Sequence, residues 1–306
     1  MQDTPEYTSP HGFRCGFVAL AGRPNVGKST LLNALVGQHL SIVSPKAQTT
    51  RERVPGIVTG PDFQMLFIDA PGLIDPGYAL QEAMRATAEA VVAEADVVIY
   101  IVDATRPNTL DLELLAETMS GRPIPVLVVV NKSDAVAVQV ADSMRGRAEE
   151  AGFEALAVSA LTRAGLDNVL EWTAPRLPHS PPLFPTDESA TQPVRFFAQE
   201  YVRETCMDAL REEVPYSIIC QVDEFREAQD PVYISITIYV ERESQKGIVI
   251  GRGGSTIRQI GSDSRQKIEE LIGQRVYLDL RVKLMPDWPR KRKSLKRFGF
   301  QLPPEA

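Results

Sequence analysis

Eight consecutive residues, Gly22-Arg23-Pro24-Asn25-Val26-Gly27-Lys28-Ser29, have the types and spacing of a loop that wraps a phosphate. The glycines let backbone N–H groups face a β-phosphate, Lys28 has the charge and reach for the β- and γ-phosphates, and Ser29 offers a hydroxyl to Mg2+. Thr30 follows as the loop turns into a helix. Further along, Asp69-Ala70-Pro71-Gly72-Leu73 supplies a carboxylate to hold the same Mg2+ through water and, at Gly72, an N–H for the γ-phosphate. Between the two motifs lies Gln48-Thr49-Thr50-Arg51, where a threonine hydroxyl completes the Mg2+ shell only while a γ-phosphate is present. Thr50 is the preferred ligand over Thr49, although sequence alone does not fix which hydroxyl points inward.

Asn131-Lys132-Ser133-Asp134 selects the base. Guanine presents two donors, N1–H and an amino group, to one carboxylate, and Asp134 matches both; adenine would leave that carboxylate buried and partly unpaired. Ser159-Ala160-Leu161 is expected to bring a backbone N–H near the guanine O6. The chemistry implied is Mg2+-dependent hydrolysis of GTP, with Lys28, Asn25, Thr50 and Gly72 around the transferring phosphoryl group. Leu73 cannot orient water, so intrinsic turnover is expected to be slow, and Asn25 is expected to hold a potassium ion that supplies the missing positive charge. A phosphate-loop kinase of metabolism leaves residues 131–134 unexplained. A passive binding module with a vestigial nucleotide fold leaves the intact Lys28, Ser29, Asp69 and Asp134 unexplained.

Such groups must be carried on the carboxyl ends of parallel strands, and the sequence provides them. Short β-branched runs at 14–21, 63–69, 96–103, 125–131 and 154–159 alternate with helix-length amphipathic stretches, the first beginning near Ser29. That pattern predicts an α/β domain, mostly parallel, with helices on both faces and its ligand beyond the strand ends. Six prolines between 174 and 193 predict a semi-rigid linker. Beyond it the pattern changes to a helix over 196–210, strands over 217–225 and 232–241, a glycine-rich turn, a helix from Ser255 and a strand over 276–283.

The five motifs, in the chain order phosphate loop, Thr-Thr loop, Asp-x-x-Gly, Asn-Lys-x-Asp and Ser-Ala-x, resemble the translation-factor-related GTPases. In the second half, Ile250-Gly251-Arg252-Gly253-Gly254-Ser255 resembles the G-x-x-G loop of a KH domain, which clamps single-stranded backbone between two helices. Arg252 and Arg258 add charge there. With Glu213-Val214-Pro215-Tyr216 before the loop and Asp287-Trp288 before a basic end, the chain is similar to the Era-like family over almost its full length. Three features depart from that family: Ala70 stands for its usual threonine, about twelve residues extend the start, and Pro289 interrupts the stretch after Trp288, which puts a terminal helix in question.

The resemblance implies an N-terminal extension (1–13), a GTPase domain (14–175), a linker (176–194) and an α+β type II KH domain with a basic end (195–301). It also implies binding to the 3′ end of 16S rRNA, a role in maturing the small (30S) ribosomal subunit, a monomer, and a cytoplasmic location with weak association at the inner membrane surface.

Charge and composition agree with this. The net charge of −7 conceals a stretch, 281–297, that holds eight Lys/Arg and one Asp and includes Arg290, Lys291, Arg292 and Lys293. A localised anionic partner is expected, with this stretch adding electrostatic affinity from the same side as the glycine loop. The polar, slightly acidic start excludes a secretory signal, and the longest aliphatic runs are strand-length. Three unpaired cysteines and three scattered histidines point to a reducing compartment and no structural metal.

Overall fold

The computed structural model describes residues 12–46, 48–119 and 123–303, so nearly all of the 1–13 extension lies outside the described residues. The chain forms two compact units. One comprises the described residues up to Ser41 with Thr50–Ile74 and Thr87–Thr191; the other comprises Ile42–Thr49, Asp75–Ala86 and the described residues from Gln192 onward.

In the first unit the strands are β1 (Arg14–Ala21), β2 (Val54–Thr59), β3 (Phe63–Asp69), β4 (Val97–Asp103), β5 (Val126–Asn131) and β6 (Glu154–Ala157). They form one sheet in the order β2-β3-β1-β4-β5-β6, parallel except for β2. β4 and β5 are near-continuous aliphatic runs because both faces of a parallel sheet are covered. The covering helices are α1 (Lys28–Val36), α2 (Ala79–Glu94), α3 (Leu112–Thr118), α4 (Val138–Glu150) and α5 (Leu166–Thr173). From α2, Ala88, Val91 and Val92 enter this core. β2 is antiparallel and follows a polar loop, and the strand pattern of the sequence does not include it.

The proline-bearing stretch is tied down along this unit. Cys15 N–H donates to Pro178 O (3.1 Å) and Ser180 N–H to Phe13 O (3.2 Å). The buried Gln64 side chain accepts the Leu183 and Phe184 amides (2.8 and 3.0 Å) and donates to Phe184 O (2.9 Å). Ile57 N–H, on β2, donates to Ser189 O (2.8 Å).

The second unit contains α6 (Val194–Ala209), β7 (Ile219–Arg226), β8 (Val232–Val240), α7 (Glu243–Ile250), α8 (Ser255–Ile272), β9 (Val276–Leu284) and α9 (Arg292–Arg297). The sheet runs β7-β8-β9, with β8 antiparallel to β7 and parallel to β9. Strand alternation sends Ile234, Ile236, Ile238 and Val240 to one face, where Val249, Ile260 and Ile268 of α7 and α8 cover them. Tyr239 and Ile219 point the other way, into a cluster with Trp288, Leu295 and Phe300, and Leu80, Ala83 and Met84 of α2 join it. Trp288 is fully buried and its indole N–H donates to Ser217 O (2.8 Å), so truncating it to alanine costs about 3–5 kcal/mol. A terminal helix does form: the turn at 286–290 absorbs Pro289, and α9 starts after it.

Ile42–Thr49 belongs to the second unit through Lys46, whose ammonium donates to Met207 O and to Leu210 O (2.8 Å) at the end of α6. Uncapped carbonyls at a helix C-terminus favour a cation in this way. Val43 N–H donates to Glu204 Oε1 (3.3 Å), while Lys267 holds the other oxygen (2.7 Å).

Candidate nucleotide and RNA sites

The loop from Gly22 to Gly27 leaves β1 and enters α1, with Asn25 and Gly27 at positive φ (64° and 100°). Val26 is buried, and Lys28 doubles back so that its ammonium donates to Gly22 O (3.3 Å) and Arg23 O (3.0 Å). The Arg23 side chain turns away, to Asp111 (Nε to Oδ2, 3.0 Å), and Thr30 lies half-buried in α1.

At the end of β3, one oxygen of Asp69 collects three hydroxyls: Ser29 (2.6 Å), Ser41 (2.6 Å) and Thr50 (3.0 Å). Ser29 Oγ and Thr50 Oγ1 are 2.9 Å apart, so Thr50 is the threonine that reaches the cluster. Thr49, half-buried, precedes it. The other Asp69 oxygen is buried without a hydrogen-bond partner. A buried, half-satisfied carboxylate beside two or three hydroxyls is an all-oxygen set of the kind Mg2+ takes. Among the described residues no cluster of His, Cys, Asp and Glu competes for a metal.

Burial pushes the Asp69 carboxyl up, against the pull of Lys28 and the three hydroxyls. Burial likewise lowers Lys28 to about 8, with Asp69 opposing. Each charge therefore waits for a partner that the protein only half supplies: a cation for Asp69 and an anion for Lys28.

Gly72 packs directly on the phosphate loop, where a Cβ would lie 2.7 Å from Pro24 N. The next residue, Leu73, donates its N–H to Gly22 O (3.1 Å) and buries its side chain in the core. It has no group to offer a water.

The base side is held by Asn131, whose amide donates to Val26 O (2.9 Å) and accepts from Ala160 N–H (3.0 Å). Lys132, at φ 62°, donates to Asn25 O (2.8 Å) and Asp103 Oδ2 (2.7 Å). Asp134 Oδ1 accepts from Ser159 Oγ (2.5 Å). Ser159 N–H goes to Ala164 O (3.0 Å), Ala160 N–H goes to the Asn131 side chain (3.0 Å), and the Leu161 side chain is exposed. The sequence reading missed Ser41 and Asp103. A serine in a loop carries no signal of its own, whereas an aspartate closing a buried aliphatic strand does.

In the second unit the glycine loop joins α7 to α8, with Gly251, Gly253 and Gly254 at φ 74°, 57° and 79°. A Cβ on Gly251 would meet Thr256 Oγ1 at 2.3 Å, so this turn requires glycine. Ser255 is the first residue of α8, Ile250 the last of α7, Arg252 is exposed, and Arg258 folds back onto Gly254 O (Nε, 3.1 Å).

Continuing from the loop, a cleft of about 360 Å3 runs between α8 and β9. Ile257, Gly261, Leu278 and Leu280 line it, with Arg258, Arg265 and Tyr277 also along it. Arg265, Tyr277 and the apolar residues are additions to the residues expected from sequence, which reveals the loop but not the groove a helix and an edge strand make together.

One expectation is corrected. The basic end does not lie on the side of the glycine loop: Trp288 and Leu295 pack on the Tyr239 face of the sheet, whereas α7 and α8 cover the opposite face. Arg292 donates to Pro303 O and pairs with Glu82 (3.6 Å), and Lys291 donates to Pro286 O (2.8 Å). Arg290 and Lys293 remain exposed on that segment.

Comparison with known proteins follows the same division. A family model described as 50S ribosome-binding GTPase matches residues 17–132, and a KH domain model matches 213–289. The chain is 40% identical over 292 residues to GTPase Era of Carboxydothermus hydrogenoformans, covering 94% of this chain and 98% of that one. It is 38% identical to GTPase Era of a Nostoc species, with 96% and 92% covered.

Among solved structures, a tyrosine-to-alanine variant of Aquifex aeolicus Era bound to GDP.AlF4- superposes with a TM-score of 0.90 at 37% identity, covering 95% of this chain and 100% of that one. Era in complex with MgGDPNP and nucleotides 1506–1542 of 16S ribosomal RNA superposes at 0.89 and 38% identity, with the same coverage. Identity at this level over almost the whole of both chains, with both domains in place, makes this chain a member of the GTPase Era family and GTP hydrolysis its reaction.

Proposed function

We propose that the protein is a GTP-driven switch that grips the 3′ end of 16S rRNA in its KH groove and assists maturation of the small (30S) ribosomal subunit. The observation that carries this is one chain holding both a hydroxyl-and-carboxylate cluster for Mg2+ and a G-x-x-G groove, in a fold shared at 38% identity with an Era solved on MgGDPNP and 16S rRNA.

In this reading Ser29 and Thr50 ligate Mg2+, Asp69 holds it through water, and Lys28 lies along the phosphates. The metal, when bound, neutralises charge on the β- and γ-oxygens. Thr50 enters the cluster directly after Ile42–Thr49, the segment that Lys46 fastens to the end of α6. Loss of the γ-phosphate withdraws Thr50 and so acts on that segment. A passive RNA-binding module would need none of this.

Leu73 has no group to orient water, and Asn25 would hold a potassium ion that would supply the missing positive charge. The protein acts as a cytoplasmic monomer, with weak association at the membrane surface; no helix among the described residues is long and apolar enough to cross a membrane.

Affinity for a 16S 3′-end oligonucleotide, measured with GDP and with a non-hydrolysable GTP analogue, tests the switch. By linkage, any preference of RNA for the GTP state must appear as an equal tightening of GTP by RNA. Equal affinity in both states would refute it. Equal turnover in sodium and potassium, unaffected by Asn25→Ala, would refute the potassium ion.

A further inference from the structure

Two carbonyls of the phosphate loop are held from behind. Asn131 Nδ2 donates to Val26 O (2.9 Å) and Lys132 Nζ donates to Asn25 O (2.8 Å). A trans peptide is planar, with its C=O and N–H pointing in opposite directions. Fixing the Asn25 carbonyl on the base side therefore fixes the Val26 N–H on the other, and fixing the Val26 carbonyl does the same for the Gly27 N–H. These are the N–H groups that a phosphate-binding nest needs aimed inward.

The two braces differ in how they are secured. Asn131 is locked at both ends of its amide, with Ala160 N–H on its oxygen (3.0 Å). Lys132 is a flexible, partly exposed chain, 36% accessible, that water would readily solvate. What holds it is Asp103, the last residue of β4, paired in register with Asn131 on β5. Its Oδ2 accepts Lys132 Nζ at 2.7 Å. Its Oδ1 accepts both Thr105 N–H (2.9 Å) and Thr105 Oγ1–H (2.6 Å), which leaves the carboxylate no freedom to turn. Burial works to raise this carboxyl, but Lys132 and the two Thr105 donors together outweigh it and keep it below the usual carboxylate range. Asn25 and Lys132 face one another as non-glycine residues at φ 64° and 62°, conformations that need such outside support.

We propose that Asp103 is a positioning residue for phosphate binding, acting through Lys132 on the 25–26 peptide and leaving guanine recognition untouched. This rests on the reading of residues 22–29 as the phosphate site.

The test is Asp103→Asn, which keeps the shape. Because Thr105 presents two donors to Oδ1, the new amide must keep its oxygen there and turn its N–H2 toward the Lys132 ammonium, donor against donor. GDP and inosine diphosphate, which lacks the amino group read by Asp134, are titrated in parallel by calorimetry. Both dissociation constants should rise by the same factor, about tenfold, with their ratio unchanged. In a Lys132→Met background Asp103→Asn should add less than about twofold. Thr105→Val, which keeps the charge and loosens its aim, should give a smaller rise of about two- to threefold at the same ratio and serves if Asp103→Asn does not fold. Unchanged GDP affinity in Asp103→Asn, a collapse of the GDP-to-inosine-diphosphate ratio, or full additivity with Lys132→Met would each overturn the proposal. A wild-type protein that bound no GDP would instead overturn the reading beneath it.

Discussion

Gly72→Ala is expected to separate GTP from GDP. The added Cβ would lie 2.7, 2.8 and 2.9 Å from the N, Cγ and Cα of Pro24. Those atoms belong to a proline ring and to backbone, neither of which can swing aside as the end of a flexible side chain would. The two segments must therefore part by about 0.7 Å to reach ordinary contact.

A hydrogen bond from the Gly72 N–H to a γ-phosphate does not survive that shift at full strength. Such a bond to a charged acceptor contributes about 1.5–3 kcal/mol, so affinity for a non-hydrolysable GTP analogue should fall about 10- to 150-fold. GDP has no γ-phosphate and its affinity should change little. Competition against a fluorescent guanine nucleotide measures both constants, and single-turnover hydrolysis should fall with the GTP analogue. Parallel losses for GDP and the GTP analogue would show that the substitution has damaged the phosphate loop itself, and the assignment of Gly72 to the γ-phosphate would then fail.

Asp134→Asn should reduce the preference for GTP over ATP by at least about a hundredfold, and a variant that kept the preference would remove Asp134 from base selection. Affinity for GDP should fall as pH rises through about 8, by up to about tenfold per unit, because the phosphates need the Lys28 ammonium and burial lowers Lys28 to about 8. The same shift makes the nucleotide-free fold gain stability as pH rises from about 8 to 10.5, since there the unfolded chain keeps a proton the folded one has released; calorimetry and melting across that range check both signs. Arg252→Asp with Gly253→Asp should remove most RNA affinity and Arg265→Ala should weaken it. Because the basic end lies on the other face of the sheet, Arg290→Ala with Lys293→Ala should leave a four-nucleotide RNA unaffected and lower the salt slope of a longer one by about one, as titration at several salt concentrations would show.

Most of the nucleotide site could be read from residue order, because its groups sit on short motifs at strand ends and strand ends are fixed by hydrophobic pattern. Asp69 and Asn131 close β3 and β5, and Ser29 lies in the first turn of α1, directly after the loop that leaves β1. β2 escaped because it is a short antiparallel strand with a proline and a glycine inside it. Ser41 and Arg265 escaped for a different reason: each matters through a partner distant in sequence, Asp69 and the β9 edge. The side on which the basic end lies could not be read either, since it depends on which face of β8 Trp288 chooses. Tyr239 decides that by pointing away from its aliphatic neighbours Ile238 and Val240, and the sequence shows the alternation without showing what comes back to cover it.

The stretch rich in proline at the end of the first unit has a consequence for solubility. β2 is the outer strand of its sheet, and the amide of Ile57 there is answered by Ser189 O (2.8 Å). A free strand edge of this kind invites another chain to pair with it, and a covering segment with many prolines has few N–H groups with which to recruit a further strand. Residues 176–191 thus cover the β2 edge at Ile57 as well as continue the chain. A fragment ended at residue 175 would strip Gln64 of its partners at Leu183 and Phe184, reopen the edge at Ile57 and tend to self-associate, whereas one ended at 191 would keep its edge dressed.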